Sequence, residues 1–394
     1  MKTKNKNIVF VNQSSGYLMV DIVNAFVESV NFKQIALITG ESKRLEGLNQ
    51  QVTISHIVSY KKNNVRQRLL SWMIGTIQTL FIILWKYRGY HVFLASNPPT
   101  ISFLTLCCRN PYSTLIYDVY PEGLVLGGFI SRNSLINKLW SRFNKRFYHK
   151  AQHVFTITEG MAKVIQTYCP NVKVKVIPVW HEIFKGVPDE KNANKFITLL
   201  GLQHKFIVMY SGNMGKVHDI DVLVHVADAL KEDKDTVFIF IGEGWKKTII
   251  MELIQEMNLD NCMVLPYQTV EMLPHSLSAA DISVVSVPGS AVNVCLPSKI
   301  YNLISLGVPV LGIAEKNAEI VKLIEKYDFG ASFSKEDTQG IIDFISMIKN
   351  NADVKMKYQN NAKIASRHYS PENAREFVKT FDSTNNGSQS IKNF

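Results

Sequence analysis

Cysteine is scarce in this sequence, with five among 394 residues, at positions 107, 108, 169, 262 and 295. No Cys-x-x-Cys pair and no histidine cluster occurs around them, which excludes a disulfide framework and a zinc site and predicts reduced, mostly buried thiols. Apolar runs near the N-terminus are short as well. The run Ile8–Val11 is too short for the hydrophobic region of a signal peptide, so we expect a first β-strand and a cytoplasmic protein.

The length and composition indicate a soluble protein of two domains. A chain of 394 residues that is 46% hydrophobic can build two full cores, because single domains hold about 100–200 residues. Charge is unevenly placed: residues 1–180 hold 22 Lys and Arg against 7 Asp and Glu, whereas the remainder holds 22 against 26. We therefore expect the first half to meet an anionic surface, whether lipid head groups, nucleic acid or a polyphosphate.

Residues 206–230 have the pattern of a β-strand, a glycine-rich turn and an amphipathic helix. Glycines at such a junction let ligand oxygens approach the backbone, and the start of a helix offers unpaired N–H groups and a partial positive charge. The loop is therefore a candidate phosphate or diphosphate site, with Gly212, Asn213 and Gly215 as its residues. An ordinary tight turn between strand and helix is the alternative.

The first half alternates short apolar strands with helical or loop segments, the pattern of a parallel sheet. Loops after the carboxyl ends of such strands line the ligand crevice of an open α/β sheet. Gly16 follows the first strand, and Asp118 and Glu122 follow a strand at 114–117. Gly16 is either a site residue or a turn glycine. The two acids are either catalytic or substrate-binding groups or helix caps.

Residues 69–85 contain no charged residue and are flanked by basic residues on both sides. Three alternatives remain open: a helix packed on the sheet, a helix that touches the bilayer surface, and a membrane span, for which this length is at the lower limit. The less apolar positions of the segment argue against a span; they are Ser71, Gly75, Thr76, Gln78 and Thr79.

Residues 132–150 predict a basic amphipathic helix without a single acid. Its apolar positions include Trp140, Phe143 and Phe147, and lysines and arginines occupy the other faces. Such a helix suits an anionic membrane surface. The alternative is a helix with an inward apolar face and a solvated basic back. Nucleic acid is not expected, because no nucleic-acid-reading motif accompanies the charge.

A stretch rich in proline, asparagine and charge, from Pro178 to Asn194, indicates an interdomain linker. We therefore divide the chain into a first α/β domain over residues 1–185, on the side of the expected anionic surface, and a second α/β domain over residues 186–370. Residues 371–394 are expected to form a helix at about 372–380 that packs back on the first domain, followed by a polar tail from 383.

Several segments agree with one family when they are taken in order. The segments YSGNMG at 210–215, FIGEG at 240–244, LPHSLSAADISVVSV at 273–287 and PSKIYNLISLGVPVLG at 297–312 resemble the nucleotide-sugar-binding domain of glycosyltransferase family four. DVYPE at 118–122 and IPVWHEIF at 177–184 resemble more narrowly the bacterial enzymes that build O-antigen, capsule and colanic acid. The resemblance is strongest over residues 200–312.

The resemblance implies the α/β GT-B fold, in which two Rossmann-like domains face each other across a cleft, and a retaining sugar transfer. In that reaction negative charge grows on the leaving diphosphate, and the protein must stabilise it. The loop 212–215 with its helix dipole, and Lys216 or Lys299 as the cation, would do so. We therefore expect no cofactor and no catalytic metal.

The resemblance also assigns further donor-site residues. Gly242, Glu243 and Gly244 are expected near the nucleotide base, with Tyr267 on the next strand-end loop. Pro297, Ser298 and Asn302 are expected at the donor as well. The family's usual pair of glutamates falls on Val294 and Asn302, neither of which is acidic; Asn302 can still hydrogen-bond a ribose hydroxyl, whereas Val294 cannot contact the sugar in that way.

The sequence thus predicts a glycosyltransferase of the hexosyl or N-acetylhexosaminyl type that acts at the inner face of the cytoplasmic membrane. It would move a sugar from a nucleoside diphosphate sugar, most simply a UDP-sugar, to a saccharide linked to polyprenyl diphosphate, with Asp118, Glu122 and Lys299 as catalytic residues. The basic first domain would bind the anionic membrane peripherally. Two alternatives remain: a nucleotide-sugar 2-epimerase of the same architecture, and a non-catalytic UDP-binding scaffold protein.

Overall fold

The chain forms two compact α/β units in a computed structural model that describes residues 6–29, 32–41, 45–61, 65–184, 186, 191–289 and 296–387. Unit 1 comprises Met1–Val179 and Pro371–Phe394, and unit 2 comprises Trp180–Ser370. The division after Val179 falls slightly before the boundary expected at residue 185. Each unit holds one fully parallel sheet with helices, the α/β class that the sequence predicts.

Unit 1 is built on a seven-stranded parallel sheet in the order β3-β2-β1-β4-β5-β6-β7. Its central strands are near-continuous apolar runs because helices cover both faces of a parallel sheet, and Ile8, Val9 and Phe10 are fully buried. The strands are β1 Lys6–Val11, β2 Phe32–Thr39, β3 Thr53–His56, β4 His91–Ala95, β5 Tyr112–Ile116, β6 Val154–Thr156 and β7 Val174–Val176.

In the first segment of unit 1, up to Val179, the described helices are α1 Tyr17–Glu28, α2 Val65–Lys86, α3 Glu122–Leu126, α4 Leu135–Lys150 and α5 Glu159–Tyr168, with a 3-10 helix at Pro99–Leu106. Local capping fixes two of the starts. The Ser134 side chain accepts a hydrogen bond from the N–H of Asn137, and Thr158 accepts one from Met161, which satisfies N–H groups that a helix start leaves unpaired.

Unit 2 has a six-stranded parallel sheet in the order β10-β9-β8-β11-β12-β13. The strands are β8 Phe206–Ser211, β9 Thr236–Ile241, β10 Cys262–Leu265, β11 Ile282–Ser286, β12 Val310–Ile313 and β13 Gly330–Phe333. The helices are α6 Lys195–Leu200, α7 Val222–Ala229, α8 Lys246–Glu256, α9 Leu273–Ser278, α10 Lys299–Ser305, α11 Glu319–Tyr327, α12 Thr338–Asn350 and α13 Ala352–Ser366.

The C-terminal helix α14, Ala374–Gly387, belongs to unit 1. Phe381 lies 5.1 Å from Phe26, and Phe377 lies 4.8 Å from Phe155, measured between ring centroids. These contacts add the helix to an aromatic core that β1, β4 and β6 provide. The helix runs to Gly387, beyond the expected end at 380, so the expected polar tail begins inside it; residues 388–394 lie outside the described part.

Candidate functional site

The sheet of unit 2 reverses its strand order between β8 and β11, and open α/β sheets bind ligands at that point, beyond the carboxyl ends of the strands. Lys299 at the start of α10 reaches this point. Its ammonium group lies 3.2 Å from the carbonyl oxygen of Ser211 and 3.4 Å from that of Val284. The lysine therefore bridges the end of β8 and the middle of β11, the two strands that flank the crevice.

The ammonium group of Lys299 also lies over an aromatic ring. It is 3.9 Å from the ring centroid of Tyr210, a fully buried side chain of β8. Among the described residues no carboxylate forms an ion pair with it. Burial lowers the pKa of Lys299 to about 7, because low-polarity surroundings disfavour the charged form. The site thus holds a cation that an anionic ligand would stabilise.

His218 is a neighbour of Lys299 that the sequence reasoning missed. Its Nδ1 lies 3.3 Å from the carbonyl oxygen of Ser286, at the carboxyl end of β11. Burial is the main cause that lowers its pKa, and the charge of Lys299 acts in the same direction. The sequence does place His218 three residues after Gly215, in a loop that follows a strand, and this position could have indicated a site residue.

Three of the predicted glycines allow two strand-end loops to meet. A side chain at Gly242 would place its Cβ 1.9 Å from the carbonyl oxygen of Gly212, and one at Gly244 would meet that of Met214 at 2.5 Å. Gly212, Gly242 and Gly244 also have φ values of +150°, +143° and +148°, which favour glycine. These glycines therefore have a structural role at the site as well as any role in ligand approach.

The loop after β8 differs from the predicted phosphate cradle. The N–H groups of Gly212 and Met214 donate to the carbonyls of Ile241 and Glu243, so neither is available to a phosphate. Helix α7 begins only at Val222, so the loop 212–215 does not enter the helix directly and its dipole does not act there. The expectation of a helix start at this loop was wrong because turns at residues 216–217 and 221, with an irregular segment between them, precede the helix.

The other predicted residues of this loop remain on the surface. Asn213 is exposed, and its carbonyl oxygen accepts a hydrogen bond of 2.6 Å from the Tyr210 hydroxyl. Gly215 lies against the ring of His218. Lys216 is exposed, and its ammonium group lies 5.5 Å from the ring centroid of Trp245.

Glu243 and Tyr267 lie together beside the glycine loops. Glu243 is exposed and forms a 2.7 Å ion pair with Lys247. Burial raises the pKa of Tyr267, although its side chain is 53% exposed, and a hydrogen bond with the backbone of Glu243 acts in the opposite direction. An exposed aromatic ring at a strand-end loop can stack on a nucleotide base.

Helix α10 carries the remaining predicted donor residues. Pro297 and Ser298 precede it, and the Ser298 side chain makes no capping hydrogen bond. The side-chain oxygen of Asn302 accepts a 2.9 Å hydrogen bond from the N–H of Glu182, so this oxygen is already engaged within unit 2. Val294 lies outside the described residues.

Two Asp-x-Asp sequences occur in unit 2, at 219–221 and 233–235. Both form ion pairs with lysines: Asp219 with Lys335, Asp221 with Lys246, Asp233 with Lys349 and Asp235 with Lys205. In the part of the chain that the structure describes, no group of three or more His, Cys, Asp or Glu side chains is placed to hold a metal ion.

Unit 1 contains a cavity of about 430 Å³ that is lined by the loops after β1, β4 and β5. The strand order reverses there as well, between β1 and β4. Gly16 and Asp118 both line the cavity. A Cβ atom at Gly16 would meet nothing within 4 Å, and the φ of −134° at this residue is ordinary, so neither crowding nor backbone conformation requires glycine. Because Gly16 has no side chain, none extends from this position into the cavity.

Asp118 is the one predicted acid that reaches this cavity. Its carboxylate accepts no hydrogen bond from any described residue, and it stays in contact with solvent on the cavity side. Protein surrounds the group on its other sides, and this burial raises the pKa of Asp118. A carboxylate with a raised pKa that opens to a cavity can accept a proton from a bound hydroxyl group.

Glu122 does not line the cavity, although it follows Asp118 by four residues. One of its carboxylate oxygens accepts a hydrogen bond from the Tyr168 hydroxyl of α5, and the other is buried without a hydrogen-bond partner among the described residues. The structure thus separates the two predicted acids. Tyr60 and Trp72, which stack at 6.1 Å between ring centroids, line the cavity beside Asp118 and were not predicted.

Helix α2 buries its small and polar face and exposes its large apolar side chains. Ser71, Gly75, Thr79 and Ile83 face the protein. The polar groups are satisfied there: the Thr79 hydroxyl donates to the carbonyl of Gly75, and the Gln13 side chain donates to that of Ser71. By length and composition the helix could cross a membrane. The exposed apolar residues are Leu69, Leu70, Met73, Ile74, Ile77, Phe81, Leu84 and Trp85.

Side-chain contacts join α2 to the 3-10 helix and the 3-10 helix to α4. Thr76 of α2 hydrogen-bonds Thr100, and Phe103 lies 5.1 Å from Trp140 of α4. Phe147 of α4 is buried, whereas the beginning of the helix exposes Leu135, Ile136 and Leu139. The basic residues of the helix are exposed, and in the described part of the chain none of them forms an ion pair; they are Lys138, Arg142, Lys145, Arg146 and Lys150.

Comparison with known proteins finds a family model that matches most of unit 2. Residues 191–365 match the family model of glycosyl transferases group 1. WbjE of Pseudomonas aeruginosa, which is named as a probable glycosyltransferase, is 25% identical over 299 residues, 72% of this chain and 73% of WbjE. WcaI of Escherichia coli K12, which is named as a colanic acid biosynthesis glycosyl transferase, is 29% identical over 209 residues, 52% of this chain and 51% of WcaI.

Solved structures share the fold of the whole chain. HepE of Anabaena, determined in complex with UDP and glucose, superposes with a TM-score of 0.70 at 14% identity, covering 96% of this chain and all of HepE. Sucrose-phosphate synthase of Thermosynechococcus elongatus gives 0.73 at 14% identity, covering 97% of this chain and all of that chain. At this identity the likeness establishes the GT-B fold alone, which confirms the predicted fold class.

Proposed function

We propose that this chain, which matches the group 1 glycosyl transferase model over residues 191–365 and has the GT-B fold, is a glycosyltransferase. It would transfer a hexosyl or N-acetylhexosaminyl group from a UDP-sugar to a lipid-linked saccharide. The transfer would retain the anomeric configuration and serve surface polysaccharide biosynthesis. The name of WcaI, a colanic acid biosynthesis glycosyl transferase, supports the pathway class, and the UDP complexes of HepE support the donor class.

The position of Lys299 is the observation that carries the donor half of this proposal. Its ammonium group is held by two backbone carbonyls and an aromatic ring at the point where β8 and β11 diverge. A departing UDP gains negative charge as the bond to the sugar breaks, and a pre-positioned cation in a partly buried site stabilises that charge. Lys299 would thus supply the cation without a metal ion, and His218 beside it would contact the same phosphates.

The acceptor would bind in the cavity of unit 1. Its volume of about 430 Å³ suits a small-molecule ligand, since such sites measure about 300–1,000 Å³. Tyr60, which stacks on Trp72, provides an aromatic face on which a sugar ring can lie, and Asp118 provides a free carboxylate that can receive the proton of the attacking hydroxyl. Glu122, whose carboxylate is engaged by Tyr168, would support α5 instead of acting on the acceptor.

The outer surface of α2 and the beginning of α4 support a peripheral attachment to the inner face of the cytoplasmic membrane. Eight large apolar side chains of α2 are exposed, and a cluster of exposed apolar residues marks an interaction site more often than a lone one does. The exposed basic residues of α4 would attract the anionic head groups of the same bilayer. A lipid-linked acceptor would then reach the cavity of unit 1 without leaving the membrane.

A transfer assay tests the proposal and separates it from its two alternatives. UDP-sugars would be offered to the purified protein with a membrane extract that contains lipid-linked saccharides, with and without EDTA. Release of UDP that requires both the extract and the sugar donor, and that EDTA does not change, is the expected result. Turnover of a UDP-sugar without acceptor would indicate the 2-epimerase, and UDP binding without any turnover would indicate the scaffold protein.

A further inference from the structure

Arg68 at the beginning of α2 is held between two aromatic rings. The centre of its guanidinium group lies 5.7 Å from the ring centroid of Trp72 and 5.9 Å from that of Phe129. A guanidinium group over aromatic faces is attracted to them and loses much of its rotational freedom. The clamp therefore fixes both the position and the orientation of this cation.

The charge of Arg68 has no protein counterpart in the described residues. No hydrogen bond or ion pair joins its guanidinium group to any of them, and its Nε is buried without a partner. The indole N–H of the adjacent Trp72 is likewise buried and unpartnered. Buried donors are usually satisfied in native proteins, so two adjacent exceptions point to a missing acceptor group.

The clamp lies between the acceptor cavity and the exposed apolar surface. Trp72, 9% exposed, lines the cavity that also holds Asp118. Burial raises the pKa of Tyr120, another lining residue, and the charge of Arg68 acts on it in the opposite direction. On the other side, Leu69 and Leu70 follow Arg68 directly and are exposed.

We infer that Arg68 binds the phosphate group of a phosphorylated lipid, whose apolar chain lies along α2 and whose sugar enters the cavity toward Asp118. The inference rests on the lipid-linked acceptor of the proposed function and specifies its recognition. Arginine suits this role because its planar group offers paired N–H donors to phosphate oxygens. The apolar chain of the lipid would thus contact the exposed leucines, and its phosphate would contact Arg68. The sugar hydroxyl would reach Asp118.

Binding of geranyl diphosphate, a water-soluble lipid diphosphate, to the full chain tests this inference by calorimetry. Arg68→Met, which keeps the apolar stem, is expected to weaken binding at least tenfold. Phe129→Leu, which opens the clamp but keeps the arginine, is expected to weaken it about threefold. Arg66→Met is the matched control on the same helix and should change it less than twofold. Geraniol and inorganic pyrophosphate should each bind more weakly than the diphosphate ester.

Several results would overturn the inference. They are no binding of geranyl diphosphate to the wild-type protein, an unchanged affinity in the Arg68→Met protein, or an equal loss in Arg66→Met. Equal competition by phosphatidylglycerol vesicles would assign Arg68 to membrane head groups instead of the acceptor. The transfer assay with UDP-sugars distinguishes the two proposals: Arg68-dependent binding of geranyl diphosphate without any sugar transfer would refute the proposed function and leave the phosphate site standing.

Discussion

Donor binding should depend on pH through Lys299. Burial sets the pKa of this lysine to about 7 in the free protein, so the charged fraction falls as pH rises. A phosphate oxygen at about 4 Å would attract the ammonium group by about 4 kcal/mol at an effective dielectric constant of about 20. That attraction is enough to keep the lysine charged in the complex, so ligand binding at alkaline pH must first take up a proton.

The size of the change in donor affinity follows from the charged fraction of Lys299 in the free protein. Between pH 6.5 and pH 8.5 that fraction falls about 25-fold, so the affinity for the donor should fall about 25-fold, or about 1.9 kcal/mol. UDP-glucose is a suitable probe because its diphosphate carries no proton that titrates in this range. The measurement is a calorimetric titration at five pH values between these limits.

Two variants separate the charge of Lys299 from other titrating groups. Lys299→Met should bind UDP-glucose weakly at every pH, because the cation is gone. Lys299→Arg should bind with little pH dependence, because a guanidinium group stays charged throughout the range. Equal affinities of the wild-type protein at pH 6.5 and 8.5, or the same pH dependence in Lys299→Met, would refute the reasoning.

Three further outcomes follow from the structure. His91, whose pKa burial lowers to about 3, should make the protein less stable as pH falls from about 6.5, by up to about 1.4 kcal/mol per pH unit; urea unfolding of His91→Gln should show a flatter dependence. Phe381→Ala should lower the free energy of unfolding of unit 1 by about 3–5 kcal/mol, and Phe381→Leu should lower it less, as measured by the same urea unfolding. Ile77→Glu with Phe81→Glu should abolish sedimentation with anionic vesicles, whereas Leu199→Glu, at a more exposed apolar site in unit 2, should not.

The sequence predicts the sheets well because each parallel strand is a separate apolar run. The position of Asp118 beyond a strand end follows from the sequence pattern, because ligands bind there in such sheets, whereas Lys299 was expected at the donor from the family resemblance. Strand β13 and helices α11–α13 were not predicted. The first residue of β13 must be glycine, because a Cβ atom at Gly330 would lie 1.9 Å from the carbonyl oxygen of Val310. A strand that begins with such small residues lacks the β-branched and aromatic side chains that predict strands.

Helix α2 shows why side-chain direction could not be predicted. In the sequence its small and polar residues dilute an apolar segment, and they argue against a membrane span. In the structure Ser71, Gly75 and Thr79 form the face that packs on unit 1, and the leucines and phenylalanine point outward. Composition does not reveal which face a helix buries. The Tyr60–Trp72 pair and the Arg68 clamp depend on that orientation and were therefore missed.

The placement of α14 has a consequence for synthesis on the ribosome. Residues 180–370 are continuous in the chain, so unit 2 can fold as soon as they have emerged. Unit 1 must wait for Phe377 and Phe381, which arrive only after all of unit 2 has been translated. At about 5–20 residues per second this delay is about 10–40 s. During that interval the nascent first unit exposes an unfinished aromatic core, which makes it the part of the protein that most needs a chaperone.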